Sequence, residues 1–201
     1  MNVLIGCEFS GVVRDAFCKR GHNAWSCDLL QGDGKHIQKD VMEVVKEQYW
    51  DMFIVHPPCT YLCSSGLHWN KRRVGRQEKT DQALDFVREL MAVNIPKICI
   101  ENPVGCIGTK IKKASQYIQP YQFGHDASKK TGLWLKGLPL LQGTGFVSGR
   151  LVEGKIGGII KRTADKTGSR HQRTGGKNER RPTRELPLQW LNSGAEHNRG
   201  V

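Results

Sequence analysis

Three short apolar runs, Asn2-Val-Leu-Ile5, Phe53-Ile-Val55 and Ile98-Cys-Ile100, each end at residues that halt a sheet: Gly6 with Gly11 close behind, Pro57-Pro58, and Pro103. Runs without polar alternation belong to strands covered on both faces, which is the condition of a parallel sheet between layers of helices. The intervening segments have helical spacing. Val12, Val13, Ala16 and Phe17 share one face, and Gly21 stands where a left-handed residue would end that helix. Further on, Ala83, Leu84, Phe86, Val87, Leu90 and Met91 recur at the amphipathic period, with Asp81 as the expected cap and Pro96 before the next strand. Asn23-Ala-Trp-Ser-Cys27 fits a strand closing on Asp28, and Asp40 closes another short unit before Val41 and Met42. Residues 121–141 read as two strand segments around a basic turn. The expectation is an α/β fold with a doubly wound, mostly parallel sheet, whose ligands sit outside the carboxyl ends of the strands.

At 201 residues the chain has room for one such domain with a tail. The domain is expected over 1–150. Residues 151–201 contain eight glycines and few large apolar side chains before Leu186, so a poorly ordered basic tail is expected there. That tail carries 11 of the 31 basic groups against 5 of the 19 acids, half of the net charge of +12, while residues 1–150 are only mildly basic. The balance favours a polyanionic partner such as nucleic acid over a merely soluble basic protein. Seven cysteines without a Cys-x-x-Cys pair argue against a disulfide framework and against structural zinc, so no metal is expected. No apolar run approaches membrane-spanning length, and Met1-Asn-Val-Leu-Ile-Gly6 lacks the basic start of a secretory signal, which makes the cytoplasm the expected location.

Pro57-Pro58-Cys59 would hold a thiol rigidly at a strand terminus, which suits a nucleophile, although most free cysteines are simply small buried residues. Glu101-Asn102-Pro103 would put a carboxyl group at the end of a neighbouring strand, where partial burial lets an acid carry a proton near neutral pH; a solvated surface Glu is the plainer reading. Glu8-Phe9-Ser10-Gly11 forms a first loop able to approach a ligand closely, and Asp28 follows Gly11 by 17 residues, placed to accept from ribose hydroxyls.

In motif order over residues 1 to about 145, these elements resemble the cytosine-C5 DNA methyltransferases, specifically the short phage and prophage type; their specific parts are Pro57-Pro58-Cys59 and Glu101-Asn102-Pro103. The segment from Phe123-Gly124-His125 to Thr131-Gly-Leu-Trp134 also resembles that short type. The resemblance implies a methyltransferase-like domain over 1–150, Cys59 as the nucleophile and Glu101 as the acid engaging N3 of the base. It further implies S-adenosyl-L-methionine as the methyl donor, with Phe9, Gly11, Asp28, Asp40 and Pro57 on the cofactor side, and Pro58, Asn102 and Pro103 on the substrate side. Cytosine-containing DNA would be the partner, in a bacterial or phage-infected cell. The reaction logic is chemical: addition of a thiolate at C6, with N3 neutralised, turns the ring into an enamine that C5 can use to attack a methyl group. A stacked base must first leave the helix.

The chain departs from that pattern in three places. No stretch between Pro103 and the tail has the length and composition of a target-recognition domain, and the Gln-x-Arg-x-Arg element is missing, leaving Lys129, Lys130 or Arg170-His-Gln-Arg173 to take part of its work. The family's terminal Gly-Ile-Ala and Ala-Met-Ala-x-Gln-Trp-Gly pattern is absent as well. Codons compatible with Arg180-Arg-Pro-Thr-Arg-Glu-Leu-Pro-Leu-Gln-Trp-Leu-Asn-Ser-Gly194, read from their third base, permit that pattern, which predicts a frameshift before Arg180. Two other readings compete: a catalytically inactive nucleic-acid-binding protein that keeps the sheet, and modification of a free pyrimidine nucleotide.

Overall fold

The computed structural model describes residues 1–147, together with the backbone of Leu151–Ile156 and Ile159–Ala164. Elements run in the order β1 (Asn2–Gly6), α1 (Val12–Cys18), β2 (Asn23–Asp28), β3 (His36–Gln38), α2 (Val41–Glu47), β4 (Met52–Val55), α3 (Ser64–Leu67), α4 (Arg76–Ala92), β5 (Lys97–Pro103), α5 (Ile107–Lys110), β6 (Gln116–Ile118) and β7 (Thr131–Lys136). Seven strands form one sheet in the order β3-β2-β1-β4-β5-β7-β6. The first five pair in parallel; β7 runs antiparallel between β5 and β6. This is the expected doubly wound, mostly parallel, Rossmann-like sheet.

Each run of the sequence buries both of its faces. In β4, Phe53 and Val55 join one core with Leu4, Val44, Trp50, Leu84, Val87 and Ile100, beneath α2 and α4. Met52 and Ile54 join the other core with Val3, Ile5, Val13, Phe17 and Cys99, beneath α1. Alternate side chains therefore divide between two apolar layers, as a period of two requires. Strand order reverses between β1 and β4, where Gly6 pairs with Val55. A Cβ on Gly6 would lie 2.6 Å from Val41 and 2.9 Å from Phe53, so only glycine lets α2 and β4 close on the end of β1.

Two readings of the chain are corrected. Helix α4 begins at Arg76 after Gly75, whose φ is +71°, and not at Asp81, which sits within the helix and accepts from Gln77 Nε2 at 2.9 Å. The first turn of α4 carries no apolar periodicity, so pattern alone cannot find it. Residues 121–141 hold one strand, β7, whose partner β6 lies earlier, at Gln116–Ile118. Asp40 caps α2 by accepting from Met42 N at 2.7 Å, an interaction worth about 1 kcal/mol at such positions.

Further along the chain, Leu151–Ile156 and Ile159–Ala164 pair as two antiparallel strands, labelled β8 and β9. The expected terminal frameshift and the role offered for Arg170-His-Gln-Arg173 lie outside the described residues. Among the described residues no helix is long and apolar enough to cross a membrane.

Trp50, 1% exposed, fills the space between α2 and the start of β4, and its Nε1 donates to the Val44 carbonyl at 3.2 Å. Trp50→Ala should cost about 3–5 kcal/mol of stability, read as a lowered urea midpoint in circular dichroism.

Candidate active site

The carboxyl ends of β1, β2, β4 and β5 open on one edge, and the sequence-identified residues gather along it. Beyond β4 the ladder continues by one bond, from His56 N to the Gly6 carbonyl at 3.1 Å, after which Pro57 and Pro58 turn the chain out of the sheet. Cys59 opens a single 3-10 turn through Tyr61. Two side chains from the end of β5 hold this segment. Buried Asn102 donates from Nδ2 to the Pro57 carbonyl at 2.7 Å, and Glu101 Oε2 lies 3.2 Å from His56 Nδ1. The thiol turn and the acid strand end are thus neighbours tied by short polar contacts across 45 residues of chain.

A second clamp fixes the far side of the turn. Cys63 pairs with Gly105, Ser64 N donates to Val104 O at 3.0 Å, and Cys106 N donates to Leu62 O at 2.8 Å. A Cβ on Gly105 would drive into the Leu62 carbonyl, so glycine is required where these backbones meet.

Cys59 is half-buried, and burial, the largest influence, raises its thiol pKa above the ordinary value; neighbouring Cys63 raises it further, while Lys129 opposes both. Lys129 and Lys130 precede β7, whose antiparallel course delivers them to the edge that holds the carboxyl end of β5: Thr131 pairs with Pro103, and Val104 N donates to Lys130 O at 3.3 Å. Lys130 Nζ itself sits 4.7 Å from the centre of the Tyr117 ring.

The cofactor-side residues divide into two groups. Asp28 and Asp40 line one cavity of about 170 Å³ together with Cys7, Leu29 and Val41; Pro58, expected on the substrate side, lines it too, and Pro57 does not. Asp28 Oδ1 accepts from Leu30 N at 2.9 Å. Cys7 holds a left-handed φ of 55° at the cavity wall, and burial, aided by the charge of Asp28, pushes its thiol up to about 12. Phe9, 55% exposed, and Gly11 do not line this cavity. Gly11, φ +69°, precedes α1, and the Arg14 guanidinium fills the space its Cβ would need.

Three further side chains hold this edge together. Buried Glu8 turns inward to accept from Val13 N at 2.7 Å and Arg14 N at 3.3 Å, capping α1 from the loop with a carboxylate where the helix leaves N–H groups unpaired. Buried Arg14 bonds Ser26 Oγ at 3.0 Å and the Asp33 carbonyl, joining α1 to β2 and the turn before β3. The signal for it was a charge inside the apolar stripe of Val13, Ala16 and Phe17. His56, the partner of Glu101, offered no pattern of its own.

No family model matches the sequence, and no curated protein matches it. Solved structures with a similar fold include a protein described as a DNA modification methyltransferase encoded within an Escherichia coli prophage, at 13% identity and TM-score 0.42, covering 67% of this chain and 46% of the other. An rRNA methylase from Escherichia coli matches at 14% identity and TM-score 0.40, covering 67% and 56%. A methyltransferase from Entamoeba histolytica matches at 14% identity and TM-score 0.47, covering 73% and 57%. The chain therefore spans about half the length of these structures, and at such scores the likeness says nothing of activity.

Only the thiolate is alkylated, so the raised pKa makes Cys59 slow at neutral pH. Its alkylation by iodoacetamide, followed by peptide mass spectrometry, should keep rising with pH beyond the point where a free thiol levels off. Lys129→Ala removes the opposing cation and should shift that profile to still higher pH.

Proposed function

We propose that the protein transfers a methyl group from S-adenosylmethionine to C5 of cytosine in DNA. The observation that carries this reading is the tie between the Cys59 turn and the Glu101-Asn102 strand end, which joins the carboxyl ends of β4 and β5 beside the reversal of strand order at β1 and β4, on the edge where open α/β sheets bind ligands.

The donor would lie along the ends of β1 and β2. The cavity formed by Asp28, Asp40, Leu29, Val41 and Pro58 suits the nucleoside portion, with apolar walls for a purine and carboxylates for hydroxyl and amino groups. Its 170 Å³ is below the volume of whole small-molecule sites, about 300 Å³ and upward, so the remainder of the ligand would extend along the open loop at Phe9. When bound, S-adenosylmethionine supplies an electrophilic methyl group.

The chain's own residues do the rest. Cys59, as thiolate, adds to C6 of the flipped cytosine; Glu101 supplies the proton that neutralises N3, and His56 holds the orientation of that carboxyl group. After C5 has been methylated, solvent takes its proton, the Cys59 sulfur leaves C6 as thiolate, and the N3 proton returns to Glu101, which restores the aromatic ring. Because burial keeps Cys59 protonated at rest, the thiol must give its proton to solvent as the substrate arrives, and Lys129 stabilises the resulting charge. Asn102 keeps Pro57 in place and thereby the direction of Cys59.

Incubation with labelled S-adenosylmethionine and cytosine-containing DNA, followed by nucleoside analysis, should yield 5-methylcytosine. Cys59→Ala should abolish transfer while leaving the circular dichroism spectrum unchanged, and Glu101→Gln should slow transfer by about 10²–10⁴-fold. Label on another base, or full activity in Cys59→Ala, would overturn the reading.

A further inference from the structure

The segment between the Cys59 turn and the body of α4 has a surface that the proposed chemistry leaves unused. Residues 61–80 contain Lys71, Arg72, Arg73, Arg76 and Lys79 against a single acid, Glu78. Aromatic rings interleave with these cations. The Arg73 guanidinium lies 4.4 Å and that of Arg72 6.0 Å from the Trp69 ring centre; over Tyr61 stand Arg76 at 4.7 Å and Lys79 at 5.9 Å. Lys71, Arg72, Arg73 and Lys79 are exposed. A cation resting over a ring is attracted by it and loses part of its rotamer freedom before any ligand arrives.

This surface is fixed to the thiol turn. Arg76 Nη2 donates to the Thr60 carbonyl at 2.9 Å, and Thr80 Oγ1 donates to the Tyr61 carbonyl at 3.1 Å while accepting from Asn70 Nδ2 at 3.0 Å. Arg76 and the start of α4 are therefore tied to the turn that Cys59 opens. Between Arg73 and Gly75, Val74 stands fully exposed at the tip of the loop.

The geometry points to this ridge as the nucleic-acid grip of the protein, holding the phosphates that flank the base presented to Cys59. An acidic polypeptide would satisfy the charges alone. The apolar tip and the aromatic rings between cations also match the faces of bases, which favours a nucleic acid. In a chain with no separate recognition segment between Pro103 and the tail, such a grip would provide affinity without reading sequence.

The inference rests on the proposed role of Cys59, but its test does not. Binding of the full chain to a short cytosine-containing duplex and to its single strand would be measured by fluorescence anisotropy across a salt series, without cofactor. Arg72→Ala/Arg73→Ala should weaken binding to both and flatten the plot of log affinity against log salt by about two. Lys19→Ala/Arg20→Ala, a matched pair of exposed cations at the end of α1 that leads to the opposite edge of the sheet, should leave the slope unchanged. An unaltered slope in the Arg72/Arg73 variant, an equal loss in the Lys19/Arg20 variant, or poly-glutamate competing as well as DNA at equal charge would overturn the grip. Binding that depends on Arg72 and Arg73 in a protein that transfers no methyl group would uphold the grip and refute the role of Cys59.

Discussion

The hydrogen bond from Asn102 to the Pro57 carbonyl is the contact on which the rest of the site depends. It joins the last residues of β5 to a turn that two prolines have already withdrawn from the sheet and that has few backbone donors of its own. Both partners are removed from water, so breaking the bond would leave a buried polar group unpaired at a cost of about 1–3 kcal/mol. Next to it the Glu101 and His56 side chains meet on the opposite face of the same strand ends. Alternation along β5 sends Asn102 to one layer and Glu101 to the other, so one strand terminus both secures the thiol turn and presents the acid.

The sheet gives that terminus its fixed position. The parallel pairing of β1, β4 and β5 aligns their ends, and apolar layers on both faces resist any slip of register, because a shift by one residue would exchange every side chain between the layers. The rigidity extends outward through Leu62, Cys106 and Gly105, which fasten the segment after Cys59 to the segment after β5. Thr80 and Arg76 then fasten α4 to the same turn. The thiol, the acid and the basic ridge are parts of one body.

Much of this was legible in the sequence. Apolar runs ending in proline or glycine mark buried strands with turns at their carboxyl ends, and Pro57-Pro58-Cys59 and Glu101-Asn102-Pro103 announce residues held at such ends. What escaped notice depends on partners distant in sequence. The start of α4 is set by Gly75 and by Thr80 reaching Tyr61, not by periodicity. Strands β3 and β6 are three residues each and owe their form to the neighbours they pair with. Glu8 resembles a loop residue until α1 is seen to need a cap, and Gly11 resembles an open approach until Arg14 fills the space beside it.

The reversed direction of β7 has a consequence for how such a protein can grow. Because β7 enters the sheet from the carboxyl edge and β6 leaves it there, the connection over 119–130 hangs beside Cys59 without crossing either face of the sheet. Extra chain inserted within it would lengthen a surface excursion and leave all seven strands in register. An ancestor with this topology could gain or lose a whole module beside the Cys59 turn while its core remained the same.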